Sequence, residues 1–261
     1  MLLAFDVGNT NIVIGIFDGK KIIEKFRIFT DISKTSDEYW VLISQFLRHA
    51  EINPKQISGI VISCVVSSVL GKLEEMSLQR FNITPLFISA GMDIGIRILY
   101  DDPAKLGVDR IANVVGGYTE HGSPLIIVDL GTATTFDVIS KDGDFIGGAI
   151  APGIGTCLNA LSERARALPR IDMKIPQKAI GKDTISNLHS GCYFGFLGQI
   201  EEIIRRIKLE LPEKPKVVAT GGWAEAIAAG SNLIDFVDPD LTLKGLHAIF
   251  DRISNIATKG L

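Results

Sequence analysis

Apolar and polar positions along this chain alternate in two blocks of the same kind. In the first, residues 2–7 and 11–17 are short apolar stretches on either side of a polar turn, and a third stretch at 21–29 follows Asp18-Gly19-Lys20. Period-two alternation punctuated by Asp-Gly predicts a hairpin extended by a third strand. The period then lengthens, with Tyr39, Trp40, Ile43, Phe46, Leu47 and Ala50 at helical spacing over 36–50. Ser36, followed by Asp37 and Glu38, reads as the N-cap and acidic first turn, and Pro54 closes the segment. A buried strand at 57–65, a helix at 66–81 and a strand at 83–88 complete an order that mixes a hairpin with parallel crossovers.

The second block repeats the theme, with strands at 125–129, 133–140 and 144–150 joined at Asp129 and at Lys141-Asp142-Gly143. A loop rich in glycine (Gly147, Gly148, Gly153, Gly155) with Pro152 leads into a helix over 156–167. A helix at 186–209, a strand at 216–220, a helix opened by Gly221-Gly222 and a final helix at 243–257 follow. No low-complexity segment or long linker interrupts the chain, which predicts two domains sharing a tight interface with a cleft between them.

The duplication centres on one chemical unit. Asp6-Val7-Gly8-Asn9-Thr10-Asn11 and Asp129-Leu130-Gly131-Thr132-Ala133-Thr134-Thr135 each lie between an apolar run and a second strand. Such turns suit phosphate: glycine lets the backbone approach, exposed amides donate to oxygens, and a hydroxyl adds another donor. The aspartate would be repelled by phosphate, so its useful role is to hold a cation or cation-bound water that bridges to it. One copy alone is commonly a plain turn; two in register read as a nucleotide clamp of the kind found in sugar kinases, actin and heat-shock ATPases. Thr220-Gly221-Gly222 adds a third turn, either an ordinary strand-to-helix link or a place where a nucleoside lies against bare backbone. Neither a P-loop nor a Gly-x-Gly-x-x-Gly element is present.

Composition narrows the classes. With 46% hydrophobic and 22% charged residues the balance is that of a globular protein with real cores. A net charge of −3 without a basic block argues against nucleic acid as the main partner. No apolar run is long enough to span a membrane and no signal peptide is evident, so the cytoplasm is the expected compartment. Cys64, Cys157 and Cys192 are far apart in sequence and lack a Cys-x-x-Cys pair, which fits reduced, partly buried thiols. The four histidines show no ligand spacing.

The most specific stretch is Tyr100-Asp101-Asp102-Pro103-Ala104-Lys105-Leu106-Gly107-Val108-Asp109-Arg110. Together with both Asp turns, Ala151-Pro152-Gly153, Ile180-Gly181-Lys182-Asp183-Thr184 and Thr220-Gly221-Gly222, it resembles type III pantothenate kinase over essentially the whole chain. Two departures stand out: Ser63-Cys64-Val65-Val66-Ser67 lacks a proline after the paired valines, and His189 stands where glutamine is usual. The resemblance implies an α/β fold of two duplicated actin-like (ribonuclease H-like) domains, 1–117 and 118–261, with a nucleotide cleft between them.

It further implies ATP-dependent phosphorylation of pantothenate to 4′-phosphopantothenate by a cytoplasmic homodimer, the first step of coenzyme A biosynthesis. Asp109 is implied as the general base for the pantothenate hydroxyl, and Tyr100, Gly107, Val108, Arg110 and Thr184 as substrate contacts, Thr184 possible across the dimer. Asp6, Val7, Gly8, Asn9, Thr10, Asn11, Ile12 and Val13, with Thr132, are implied as ATP contacts. Gly221 and Gly222 join them through the nucleoside turn. Asp129 is implied as the ligand of a monovalent cation (K+ or NH4+), while Asp6 is the candidate for positioning Mg2+. Asp109-Arg110 also reads as a structural ion pair at a helix start, Thr184 as a helix N-cap, and Asp137 as a supporting acid or a surface residue. The rival functions are a kinase of another small hydroxylated metabolite and a nucleotide-binding transcriptional accessory factor.

Overall fold

A computed structural model describes residues 1–165 and 167–259, the side chains of 257–259 excepted. The chain separates into two compact units: Met1–Ile96, Tyr100–Thr119 and the segment from Leu241 form one, and Arg97–Leu99 with Glu120–Asp240 the other.

In the first unit, β1 (Leu2–Val7), β2 (Asn11–Asp18) and β3 (Lys21–Phe29) form the expected meander. After α1 (Ser36–His49), β4 (Gly59–Cys64) runs parallel to β1; α2 (Ser67–Phe81) and the short β5 (Leu86–Phe87) complete a sheet of order β3-β2-β1-β4-β5. The core gathers Phe5, Ile12, Ile14, Tyr39, Ile43, Leu47, Ile60, Ile62 and Leu73, all at most 1% exposed. The start of α1 differs from expectation. Thr35, not Ser36, is the N-cap: its hydroxyl accepts the Glu38 N–H while the Glu38 carboxylate accepts the Thr35 N–H at 2.8 Å. A reciprocal capping box needs Glu three residues after the cap, and only Thr35 provides that spacing.

The second unit repeats the topology. After α3 (Val108–His121), most of which belongs to the first unit, come β6 (Leu125–Leu130), β7 (Ala133–Ile139), β8 (Phe145–Pro152), α4 (Ile154–Arg164), α5 (Thr184–Glu210), β9 (Lys216–Thr220), α6 (Ala224–Ala228) and β10 (Phe236–Val237). Read from the meander edge, the sheet order is β8-β7-β6-β9-β10, strand for strand the order of the first sheet. Even the irregularities repeat, since a register shift falls between Ile16 and Phe17 in one unit and between Val138 and Ile139 in the other. The predicted helix over 156–167 begins two residues earlier and ends at Arg164; its expected residue Arg166 lies outside the described residues.

Two segments join a unit remote from them in sequence. The last helix, α7 (Leu241–Lys259), lies with the first unit. Its side chains need clearance there: a Cβ on Gly15 would meet Leu243 Cδ1 at 2.9 Å, and one on Gly59 would collide with the Phe250 ring. His247, 8% exposed, faces the Gly19 carbonyl from the same helix at 2.7 Å. Conversely, Arg97–Leu99 lines up on β8. Phe145 N–H donates to Arg97 O at 2.9 Å, Leu99 N–H to Phe145 O at 2.8 Å, and the Arg97 guanidinium forks onto the buried Asp144 carboxylate. Main-chain pairing to a sheet edge outranks sequence neighbourhood.

Candidate active site

Both Asp turns are hairpin ends built on strands with one burial pattern. β1 and β6 are each buried except at the fifth residue, Asp6 and Asp129 respectively, and both are half-buried. The alternation of the strand carries each aspartate out of the core at the sheet's carboxyl end. The turns differ in length. Val7 pairs with Ile12 but Leu130 pairs with Thr134, so the second loop is one residue shorter. Correspondingly, Gly8 N–H donates to Asn11 O at 3.0 Å, and Gly131 N–H to Ala133 O at 3.1 Å. Asn9, Thr10 and Thr132 are exposed at the tips, while Val7 and Ile12 are 1% and 0% exposed. The last two side chains are core, leaving only their main chain to offer a ligand.

Each turn is braced by a hydroxyl that no sequence motif marks. Thr30 Oγ1 donates to Gly8 O at 2.7 Å and its N–H to Thr10 O at 2.9 Å; Thr156 Oγ1 donates to Thr132 O at 2.7 Å. Thr156 sits in the first turn of α4, whose N-cap is Gly153 without a side-chain cap. A Cβ on Gly153 would run into the Gly131 and Thr132 carbonyls, so glycine is what lets this helix start against the turn. First-turn N–H groups lacking a side-chain cap favour anions nearby.

Gly221 has a reason of its own. Its φ is +90°, and a Cβ there would sit 2.6 Å from Asp129 Oδ1 and 2.7 Å from the Leu130 backbone. It therefore lets β9 end against the Asp129 carboxylate, whereas Gly222 faces open space. Asp137, for which a surface position was one expectation, is fully buried, with Thr135 Oγ1 at 3.5 Å from Oδ2. β7 pairs Thr135 with Asp129, so Asp137 lies on the same face one strand position-pair further along.

In the first unit, Asp109 opens α3, where an acid suits the positive end of the helix dipole. Its Oδ1 accepts the Arg110 N–H at 2.8 Å and folds back over Gly107, where a Cβ would lie 2.5 Å away. Arg110 is only 6% exposed, with its guanidinium 6.0 Å from the centre of the half-buried Tyr100 ring. The observed Asp109–Arg110 contact is thus a main-chain cap. Thr184 begins α5 but does not cap it. Asp183 does, its carboxylate accepting Ser186 N–H at 2.9 Å. Thr184 is exposed on the rim of a groove of about 390 Å³ with Leu161, Leu188 and Cys192.

The oxygen donors suit hard cations. In the first unit Asp6 supplies a half-buried carboxylate, with Ser63 Oγ beside it in register; in the second Asp129 does so, with Thr134 Oγ1 beside Leu130; both hydroxyls are buried with no hydrogen-bond partner among the described residues. Among the described residues no cluster of three or more His, Cys, Asp or Glu forms. Burial pushes the Cys64 thiol above its usual value, with the Asp6 charge adding to the effect.

Residues 2–206 match the model of the type III pantothenate kinase family. The chain belongs to that family. A relative from Geobacter sulfurreducens named type III pantothenate kinase is 44% identical over 252 residues, covering 97% of this chain and 99% of the relative. Among solved structures, the activator of 2-hydroxyisocaproyl-CoA dehydratase from Clostridium difficile with bound ADPNP has a TM-score of 0.60 at 12% identity, covering 99% of this chain and 97% of that one. MreB 5 of Spiroplasma citri bound to AMPPNP has a TM-score of 0.56 at 10% identity over 100% and 98%. At such identities the likeness concerns the fold, and the duplicated actin-like architecture is the common element. The family match stops before α7.

Proposed function

We propose that the protein transfers the γ-phosphoryl group of ATP to the primary hydroxyl of pantothenate, giving 4′-phosphopantothenate and ADP at the entry to coenzyme A synthesis. The observation that carries this reading is the Asp109 carboxylate, held over Gly107 at the head of α3 in a chain of this family. Asp109 takes the hydroxyl proton as that oxygen bonds to phosphorus and the bond to the ADP oxygen breaks. Phosphoryl transfer asks little covalent chemistry of a protein, so positioning and charge dominate. Arg110 offers a fixed fork of donors to the pantothenate carboxylate, and Tyr100, Gly107 and Val108 line that end of the substrate. Thr184 is the further substrate contact.

The triphosphate is taken by main-chain amides and hydroxyls of Asp6–Val13 and by Thr132, and the nucleoside by Gly221 and Gly222. Asp6 would hold Mg2+ through oxygen, and Asp129 a potassium or ammonium ion; both ions lower the charge repulsion among phosphates. A homodimer is supported by apolar side chains left in solvent on the second unit: Ile150 is 63%, Ile180 85% and Ile185 49% exposed. The protein acts in the cytoplasm, in keeping with its three free thiols.

The test is product formation from ATP and pantothenate with Mg2+, in potassium and in sodium buffer, beside Asp109→Asn. Potassium-dependent phosphopantothenate, reduced by about 10²-fold or more in the variant, is expected. Absence of product from protein that binds ATP would overturn the assignment of substrate.

A further inference from the structure

We propose that the hydrogen bond between Asn113 and Thr242, set in a glycine-lined seam between α3 and α7, holds α3 in the register that presents Asp109; both are positioning residues. Thr242 Oγ1 donates to Asn113 Oδ1 at 2.6 Å, and Asn113 is 1% exposed in the middle of a helix. Around this pair the two helices touch backbone to backbone. A Cβ on Gly116 would collide with the Leu241 carbonyl and approach Gly245 N to 3.0 Å. One on Gly245 would collide with the Ala112 carbonyl and approach Gly116 N to 3.0 Å. The obstructing atoms are main chain, so neither side can yield by rotating a side chain.

Asp109, Ala112, Asn113 and Gly116 follow one another at i, i+3, i+4 and i+7, which places them along one side of α3. The stripe that meets α7 therefore begins, one turn earlier, with the proposed base. Asparagine is a poor helix former, and burying its amide costs free energy unless it is paired. An apolar side chain would suit a seam whose only task was adhesion; a buried polar pair instead selects one axial alignment, as a core asparagine does in coiled coils. Sliding α3 by a single residue moves it about 1.5 Å and turns it by about 100°, which breaks the bond. A misplacement of about 1 Å at a reacting group can cost ~10²-fold in rate. Thr242 lies beyond the matched residues 2–206, so the family pattern does not assign it.

The inference rests on the proton-accepting role of Asp109, and the experiment separates the two. Thr242→Val keeps the shape and removes the donor. Its kcat is expected to fall about tenfold with KM for ATP unchanged, and Thr242→Ser to restore it. Leu243→Val, on the same helix but packed toward Gly15, serves as the stability control and should lower Tm while leaving kcat alone. A Thr242→Val enzyme with wild-type kcat, or a kcat loss that Leu243→Val reproduces at equal Tm, overturns the register role while Asp109→Asn remains impaired. Full activity in Asp109→Asn overturns the role of Asp109 and the inference with it.

Discussion

Glycines in this chain answer to different demands, and their neighbours tell them apart. Gly221 combines φ +90° with atoms of Asp129 and Leu130 where a Cβ would stand. Gly221→Ala should therefore cost more than the ~1 kcal/mol by which a compatible replacement shifts stability, visible as a lower Tm. Displacement of the Asp129 carboxylate would accompany it and, on the cation role proposed for Asp129, weaken potassium activation. Gly222→Ala, facing open space, should leave Tm unchanged, and a raised KM for ATP in that variant would support the nucleoside contact proposed for it. Both glycines are visible in the sequence as one dipeptide; that one shapes a carboxylate site while the other leaves room is decided by atoms brought from β6.

Among elements, α5 illustrates how a cap sets the position of the exposed Thr184. Ser186 N–H and hydroxyl, bonded to the Asp183 carboxylate, hold its pKa below the ordinary value. A depressed folded pKa contributes stability that is complete above the unfolded value of ~3.9 and is lost as pH falls through the folded one. The first turn of α5, which carries Thr184, should accordingly fray below about pH 4. Amide exchange at Ser186 and Asn187, fast at acid pH relative to the rest of α5 and protected near neutrality, would check this. Uniform protection of the helix across that range would contradict it. The hairpin turns make the complementary point. Two nearly identical motifs close over loops of different length, because β7 begins its pairing one residue sooner than β2.

At the scale of the molecule, the first unit is completed by a helix contributed from the far end of the chain. Phe250 packs into the space left by Gly59 on β4, so Phe250→Ala should destabilise the protein by about 2–3 kcal/mol, less than the ~3–5 of a fully enclosed ring because Phe250 is only half-buried. Urea unfolding followed from both units would register it first as loss of the first unit's signal. The strands, the duplication and the Asp turns were legible in the sequence because each depends on local period and turn chemistry. Equally legible was the family, through motifs spread over most of the chain. The placement of α7, the attachment of Arg97–Leu99 to β8, the burial of Asp137 and the Asn113–Thr242 pair were not. Each joins residues distant in sequence, and what decides it is close fit of backbone to backbone or the need of a buried polar group for a partner, which no single segment carries.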